Sequence, residues 1–259
     1  MFVIEGFTDL KLEGEIFNLI VYTALFGTLC LWTLADFKQL DMNLKYIIGK
    51  KPKNDQWLPM MGLVILMLVF SLSAYLVSFY LVSLIAPNFI QDLMREIASE
   101  SSTNNPSLLE NLFISFVYVV VAPITEEFIF RGIILQRWAV KWGIRWALVA
   151  SSLVFGLAHA NVLGLSIFGF VMGVLYIKTR SLFVPIVCHG LNNLLAVGAE
   201  MLPSDSVNNP DVKSLEYLQS NFGIGMLLML ISLPLLLRFL WRNWPGKDTQ
   251  IPYLINRFS

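Results

Sequence analysis

Charge is scarce in this sequence. Asp, Glu, Lys and Arg make up 14% of its 259 residues, against about 25% in a soluble domain. With 56% hydrophobic residues, the composition excludes an ordinary soluble domain. It indicates one polytopic membrane unit over residues 1–259 with no separate soluble part. The formal net charge is zero, so no nucleic-acid partner is expected. There are two cysteines, Cys30 and Cys188, both in apolar runs. This is the usual setting of a free buried thiol, and no disulfide framework follows. A basic leader is missing: the first fifteen residues carry Glu5, Asp9, Glu13 and Glu15, so no cleavable signal is expected. No internal repeat is present, which removes sequence support for an inverted-repeat transporter.

What is there is a series of apolar runs. Ile16–Ala35, Leu58–Ile85, Leu112–Gln136, Trp146–His159, Leu163–Ile177, Leu182–Ala199 and Phe222–Leu240 predict an all-α transmembrane bundle of about seven helices. The second run exceeds what a bilayer requires and is expected to tilt or kink. The fourth and fifth are short, about 22 Å each at 1.5 Å per residue, and suit a hairpin whose tip stays inside the protein. Between the runs lie a basic loop at Asp36–Gln56, polar loops at Pro87–Asn111 and Leu202–Ser220, a basic turn at Arg137–Arg145 and a tight turn at Lys178–Arg180. Seven crossings place fourteen of the eighteen Lys and Arg on one side and three on the other, with Arg131 inside the membrane. By the positive-inside rule the basic loops and the C-terminus are expected in the cytoplasm. The short loops suit a bacterial inner membrane.

The third run holds an anomaly, Ala122-Pro-Ile-Thr-Glu-Glu-Phe-Ile-Phe-Arg-Gly132. Each charge at mid-bilayer costs roughly 2.5–3.5 kcal/mol on insertion scales. Three within six residues must therefore be paired or face a polar cavity. Glu127 and Arg131 are four apart and stack on one helix face. Glu126 points about 100° away and has no local partner. Pro123 is expected to kink or restart the helix just before the carboxylates. Both histidines of the chain fall in apolar runs: His159, one turn after Phe155, and His189, four before Asn193 with Asn192 nearby. Counted from the basic side at helical rise, Glu126, His159, His189 and Asn193 reach depths of ~15, ~20, ~10 and ~17 Å. One cavity could contain all four. A structural ion-pair cluster, or a proton relay in a non-enzymatic scaffold, immunity factor or transporter, would use many of the same residues.

Three patterns in order resemble those of a family of intramembrane endopeptidases that includes CAAX prenyl proteases and bacteriocin-processing or immunity proteins, the CPBP or Abi family. They are Glu126-Glu127-Phe-Ile-Phe-Arg131 followed by Gly132, Phe155-Gly-Leu-Ala-His159, and His189-Gly-Leu-Asn-Asn193. The motif-bearing core spans about 112–200. The resemblance implies peptide-bond hydrolysis in the membrane. Permitted substrates are a prenylated C-terminal peptide, a bacteriocin leader or another membrane protein.

Hydrolysis needs an activated water and a stabilised oxyanion. Glu126 is assigned as general base, with His159 orienting the water or sharing its proton. His189 and Asn193 are assigned as oxyanion donors, and Glu127 and Arg131 as the brace of the helix that presents Glu126. No cofactor is expected. The alternative is a zinc enzyme with Glu126, His159 and His189 as ligands, since two His and one Glu form a catalytic zinc set elsewhere. Here the three would come from separate helices, and no His-Glu-x-x-His is present. Gly-x-Ser-Gly and Gly-x-Gly-Asp motifs are absent too. Gly164-Leu-Ser166 lacks a strand-to-helix elbow, so Ser166 and Cys188 read as packing residues.

Overall fold

A computed structural model describes residues 15–37, 43–52, 57–102, 108–200 and 215–258. The acidic stretch before Glu15 and most of the polar loop with Pro203 and Pro210 lie outside the described residues.

Ten helices account for nearly all of the described chain: α1 Glu15–Asp36, α2 Leu44–Ile48, α3 Trp57–Ile85, α4 Pro87–Ser102, α5 Leu108–Trp142, α6 Ile144–Leu157, α7 Val162–Thr179, α8 Phe183–Glu200, α9 Leu215–Arg242 and α10 Pro252–Phe258. Five of them, α1, α3, α5, α7 and α9, are long and apolar enough to cross a membrane, and α6 and α8 are shorter apolar helices. The chain is a multi-pass membrane protein with helices at the seven expected places.

Three connections differ from expectation. Pro87–Asn111 is not a loop: Pro87–Ser102 is an amphipathic helix, and α5 starts at Leu108. Ile90 and Met94, one turn apart, bury with Leu76, Phe79 and Leu218 into a small second core. Five polar or charged residues in its first ten lower the mean hydropathy and hide this 3.6-residue pattern. The basic turn at 137–145 shrinks to Gly143, because α5 runs on to Trp142. Helix α9 starts at Leu215, within the expected loop, and the tail folds into α10.

The main core lies between α3, α5, α6, α7 and α8, around Phe70, Leu135, Leu148, Phe155, Met172 and Tyr176. Large apolar side chains face outward along α1, α3 and α9, among them Leu31, Trp32, Leu58, Ile65, Leu227 and Leu230. Such a surface requires lipid. Helices α6 and α7 form a hairpin whose tip is tied to mid-α3, where the Asn161 amide donates to the carbonyl of Ser71 (2.8 Å) and to its hydroxyl (3.1 Å). The hairpin therefore ends about halfway up α3, some 21 Å from its start at helical rise. Its two helices touch closely: a Cβ at Gly156 would overlap the backbone and hydroxyl of Ser166, a packing residue that is itself buried.

Polar bonds knit the opposite, basic end. Tyr176 donates to the carbonyl of Ile47 (2.9 Å) and accepts from Gln136 (2.9 Å), whose carbonyl oxygen takes the amide of Tyr253 (2.9 Å). Asn256 donates to the carbonyls of Tyr46 and Arg180, and Arg145 to that of Pro245. So α2, the end of α5, the α7–α8 turn and the C-terminal α10 all meet at one end of the bundle.

Candidate active site

Helix α5 carries the carboxylates, and its backbone is irregular around them. Two π-helical stretches, Val117–Val121 and Phe128–Ile134, flank the α-helical Ala122–Glu127. Single π turns inside helices concentrate at functional sites. Pro123 explains the first. In π register the amide of Ala122 bonds the carbonyl of Val117, and the next bond would run from residue 123 to Tyr118. Proline has no N–H to give. The Asn193 amide supplies that donor from α8, 2.9 Å from the Tyr118 carbonyl oxygen. Gly190 lets α8 come this close, since a Cβ there would stand 2.8 Å from the carbonyl of Val119.

Glu127 is fully buried and takes two partners through Oε1. Arg131 Nη1 donates at 3.1 Å, the expected pair along the helix, and His189 Nδ1 donates at 2.9 Å. Arg131 also donates from Nη2 to the carbonyl of Gly169 (3.1 Å), and its guanidinium lies 4.5 Å from the centre of the Phe155 ring. A cation over an aromatic face in a dry site is favourable. The bond to Glu127 fixes the His189 tautomer with hydrogen on Nδ1 and turns Nε2 toward Glu126.

Glu126 is 7% exposed and has a different environment. The Tyr22 hydroxyl, from α1, donates to Oε1 at 2.7 Å. The Oε2 of Glu126, like that of Glu127, is buried with no hydrogen-bond partner, but it faces His189 Nε2 at 4.0 Å. A polar separation beyond 3.5 Å between two such atoms suits one bridging water.

His159 sits at the hairpin tip, half-buried. Its Nδ1 donates to the carbonyl of Phe155 (2.7 Å), which leaves Nε2 as the acceptor of the neutral ring. Phe155 gathers the site. Its ring is 4.8 Å from that of His159, 6.1 Å from that of His189 and 5.0 Å from that of Phe130. The structure thus joins Glu126, Glu127, Arg131 and His189 in one polar cluster, sets His159 on its aromatic wall and ties Asn193 to α5 beside it. His159 bonds to neither glutamate among the described residues.

The zinc set can be tested against this geometry. Among the described residues, no three His, Cys, Asp or Glu side chains are grouped so as to hold a metal ion. Glu126, His159 and His189 are thus not grouped as a three-ligand set, while the His189 Nδ1–Glu127 bond leaves Nε2 on the Glu126 side.

Sequence reasoning missed Tyr22 and the role of Phe155. A tyrosine within an apolar span gives no signal of its own. Phe155 stood in a motif, and only packing reveals what its ring touches.

Residues 108–195 match the family described as type II CAAX prenyl endopeptidase Rce1-like. Over 87 residues the chain is 36% identical to the Bacillus subtilis (strain 168) protein named "Putative membrane peptidase YdiL". That alignment covers 32% of this chain and 36% of the relative, so the chain spans about a third of the curated relative it matches. No solved structure matches the chain. The matched stretch contains all three motifs and the whole carboxylate–histidine cluster, so it is the motif-bearing core of this chain that is similar to CAAX-protease-like membrane endopeptidases.

Proposed function

We propose that the chain is an intramembrane glutamic endopeptidase in which Glu126 activates water. The observation that carries this reading is the unpaired, buried Glu126 Oε2 facing His189 Nε2 across 4.0 Å. A water there would give one proton to Oε2 while its oxygen attacks the scissile carbonyl carbon. The tetrahedral oxyanion then needs donors. The second amide N–H of Asn193 is one. An Nε2–H of His189 is the other, available whenever that ring is protonated. As the C–N bond breaks, the proton held by Glu126 passes to the amine nitrogen. His159 orients water or substrate through its free Nε2. Glu127 and Arg131 hold His189 and the helix in place. No step is routed through zinc, because the described donors are not grouped as a three-ligand set.

The substrate is a peptide or membrane protein that enters from the bilayer. A farnesylated C-terminal peptide is the first class to try, in view of the family's description, and bacteriocin-type leaders are the second. Glu126 lies near the middle of α5, slightly nearer its basic end. We assign that end to the cytoplasm of a plasma membrane.

Detergent-solubilised protein incubated with a fluorogenic farnesylated peptide and an unmodified peptide library is the direct test. Cleavage that survives exhaustive chelation is expected, in a preparation without stoichiometric zinc by elemental analysis. One tightly held zinc per chain, lost together with activity, would reverse the cofactor assignment. Absence of any cleavage, with the fold intact, would favour the proton-relay reading.

A further inference from the structure

Helix α1 lies outside the stretch matched to the family, and nothing in the comparisons gives it a role. Most of it faces outward, with Val21, Leu25, Leu29 and Leu31 exposed. One stripe turns inward: Leu19 is buried, and Tyr22, Phe26 and Cys30 follow at helical spacing, each half-buried. The stripe meets α5 at the carboxylates. Tyr22 stacks on Phe26 with ring centres 4.5 Å apart, which holds its ring in place. A phenylalanine would pack there as well. The hydroxyl adds one interaction, a 2.7 Å bond to Glu126 Oε1.

We infer that Tyr22 is a positioning residue for Glu126, which makes α1 part of the active site. The terminal torsion of a glutamate is broad, and nothing in the side chain itself selects which oxygen faces the substrate. A donor on Oε1 selects it. With Oε1 tied to α1, Oε2 is the oxygen turned toward His189 and left open for water. Without the hydroxyl, neither oxygen is selected, and the carboxylate is free to rotate Oε2 away from the position 4.0 Å from His189 Nε2 where it would activate water. The bond also links catalysis to the placement of a helix that contacts the rest of the bundle along a single stripe. This inference rests on Glu126 being the general base.

Tyr22→Phe removes the hydroxyl and keeps the ring. On the farnesylated fluorogenic peptide, kcat is expected to fall about 10–100-fold, the range for a lost hydrogen bond to a charged group. KM and melting temperature should hardly move. In a Glu126→Gln background the same substitution should cost nothing more, because its effect passes through the carboxylate. Infrared difference spectra, parent minus Glu126→Gln, isolate the Glu126 carboxylate stretch without any substrate. That band should shift in Tyr22→Phe. An active enzyme that needs Glu126, yet keeps full kcat and an unshifted band in Tyr22→Phe, overturns the inference and leaves the proposed function standing. Equal losses in both backgrounds overturn it too, as the mark of a merely structural residue. If Glu126→Gln stays active, the proposed function fails, and the infrared band alone decides whether Tyr22 holds Glu126.

Discussion

Two adjacent glutamates with different partners set up the sharpest contrast at the scale of the residue. Glu126→Gln keeps the shape and removes the base. Cleavage should fall at least ~10²–10⁴-fold, as for loss of general-base catalysis. Folding should be nearly untouched, since a neutral amide is easier to bury than a carboxylate. Glu127→Gln acts on structure first. It takes the counter-ion from Arg131, 3% exposed and four residues on, and breaking a buried pair costs roughly 3–5 kcal/mol. The contacts of Arg131 with the Gly169 carbonyl and the Phe155 ring remain but do not neutralise it. It also loosens His189, whose Nδ1 is held by the same carboxylate oxygen. Glu127→Gln should therefore express poorly or melt early, and the surviving protein should be slow. Melting curves and cleavage rates of the two variants, measured side by side, check this. A Glu126→Gln protein that fails to fold beside a normal Glu127→Gln enzyme would show the two roles to be exchanged.

At the scale of the element, the site depends on a defect in α5. Pro123 removes the donor that a π-register bond to the Tyr118 carbonyl would use, and Asn193 takes that position from α8. Asn193→Ala should therefore cost about 0.5–1.5 kcal/mol of stability, the net worth of one hydrogen bond. It should also slow cleavage by up to ~10²–10³-fold if its other N–H meets the oxyanion. Adding Pro123→Ala returns an N–H at position 123. The double variant should recover melting temperature and not rate. A double variant less stable than Asn193→Ala would refute the coupling of proline and asparagine. This separation of roles was not legible in the sequence. The spans, the Glu127–Arg131 pair and the three motif patterns were, because each follows from a fixed helical spacing within one segment. Pro123 pointed to an irregular helix there without specifying π register. What joins segments was hidden: Tyr22 reaches Glu126 across 104 residues, and His189 reaches Glu127 across 62. Helix α4 was missed for a different reason. Its buried Ile90 and Met94 are spaced like any amphipathic helix, but Asn88, Gln91, Asp92 and Arg95 between and around them lower the average.

At the scale of the whole molecule, the charge asymmetry and the folded ends agree with each other. Hydrogen bonds gather α2, Arg145, the α7–α8 turn and α10 at one end, and these segments carry Lys45, Lys178, Arg180 and Arg257. Helix α4, with the Asp92–Arg95 ion pair on its surface, packs against α3 and α9 at the far end of α3. Lys and Arg beside membrane spans are retained on the cytoplasmic side, so the basic end should face the cytoplasm and α4 the opposite side. Single cysteines introduced at Lys50, Lys247 and Asp92, in a chain whose Cys30 and Cys188 are replaced by serine and alanine, report on this with a membrane-impermeant maleimide. Asp92→Cys should label in intact cells. Lys50→Cys and Lys247→Cys should label only after permeabilisation. The hairpin sharpens the functional stake. Its tip, with His159, ends about halfway up α3, and Glu126 lies ~24 Å from the basic end of α5 and ~27 Å from its other end by helical rise. With the basic end inside, a substrate anchored in the cytoplasmic leaflet has the shorter path to Glu126, which is where a lipidated C-terminal peptide would sit. Labelling of Lys50→Cys and Lys247→Cys from outside intact cells would invert the molecule, and the substrates to test would then be those presented from the outer leaflet.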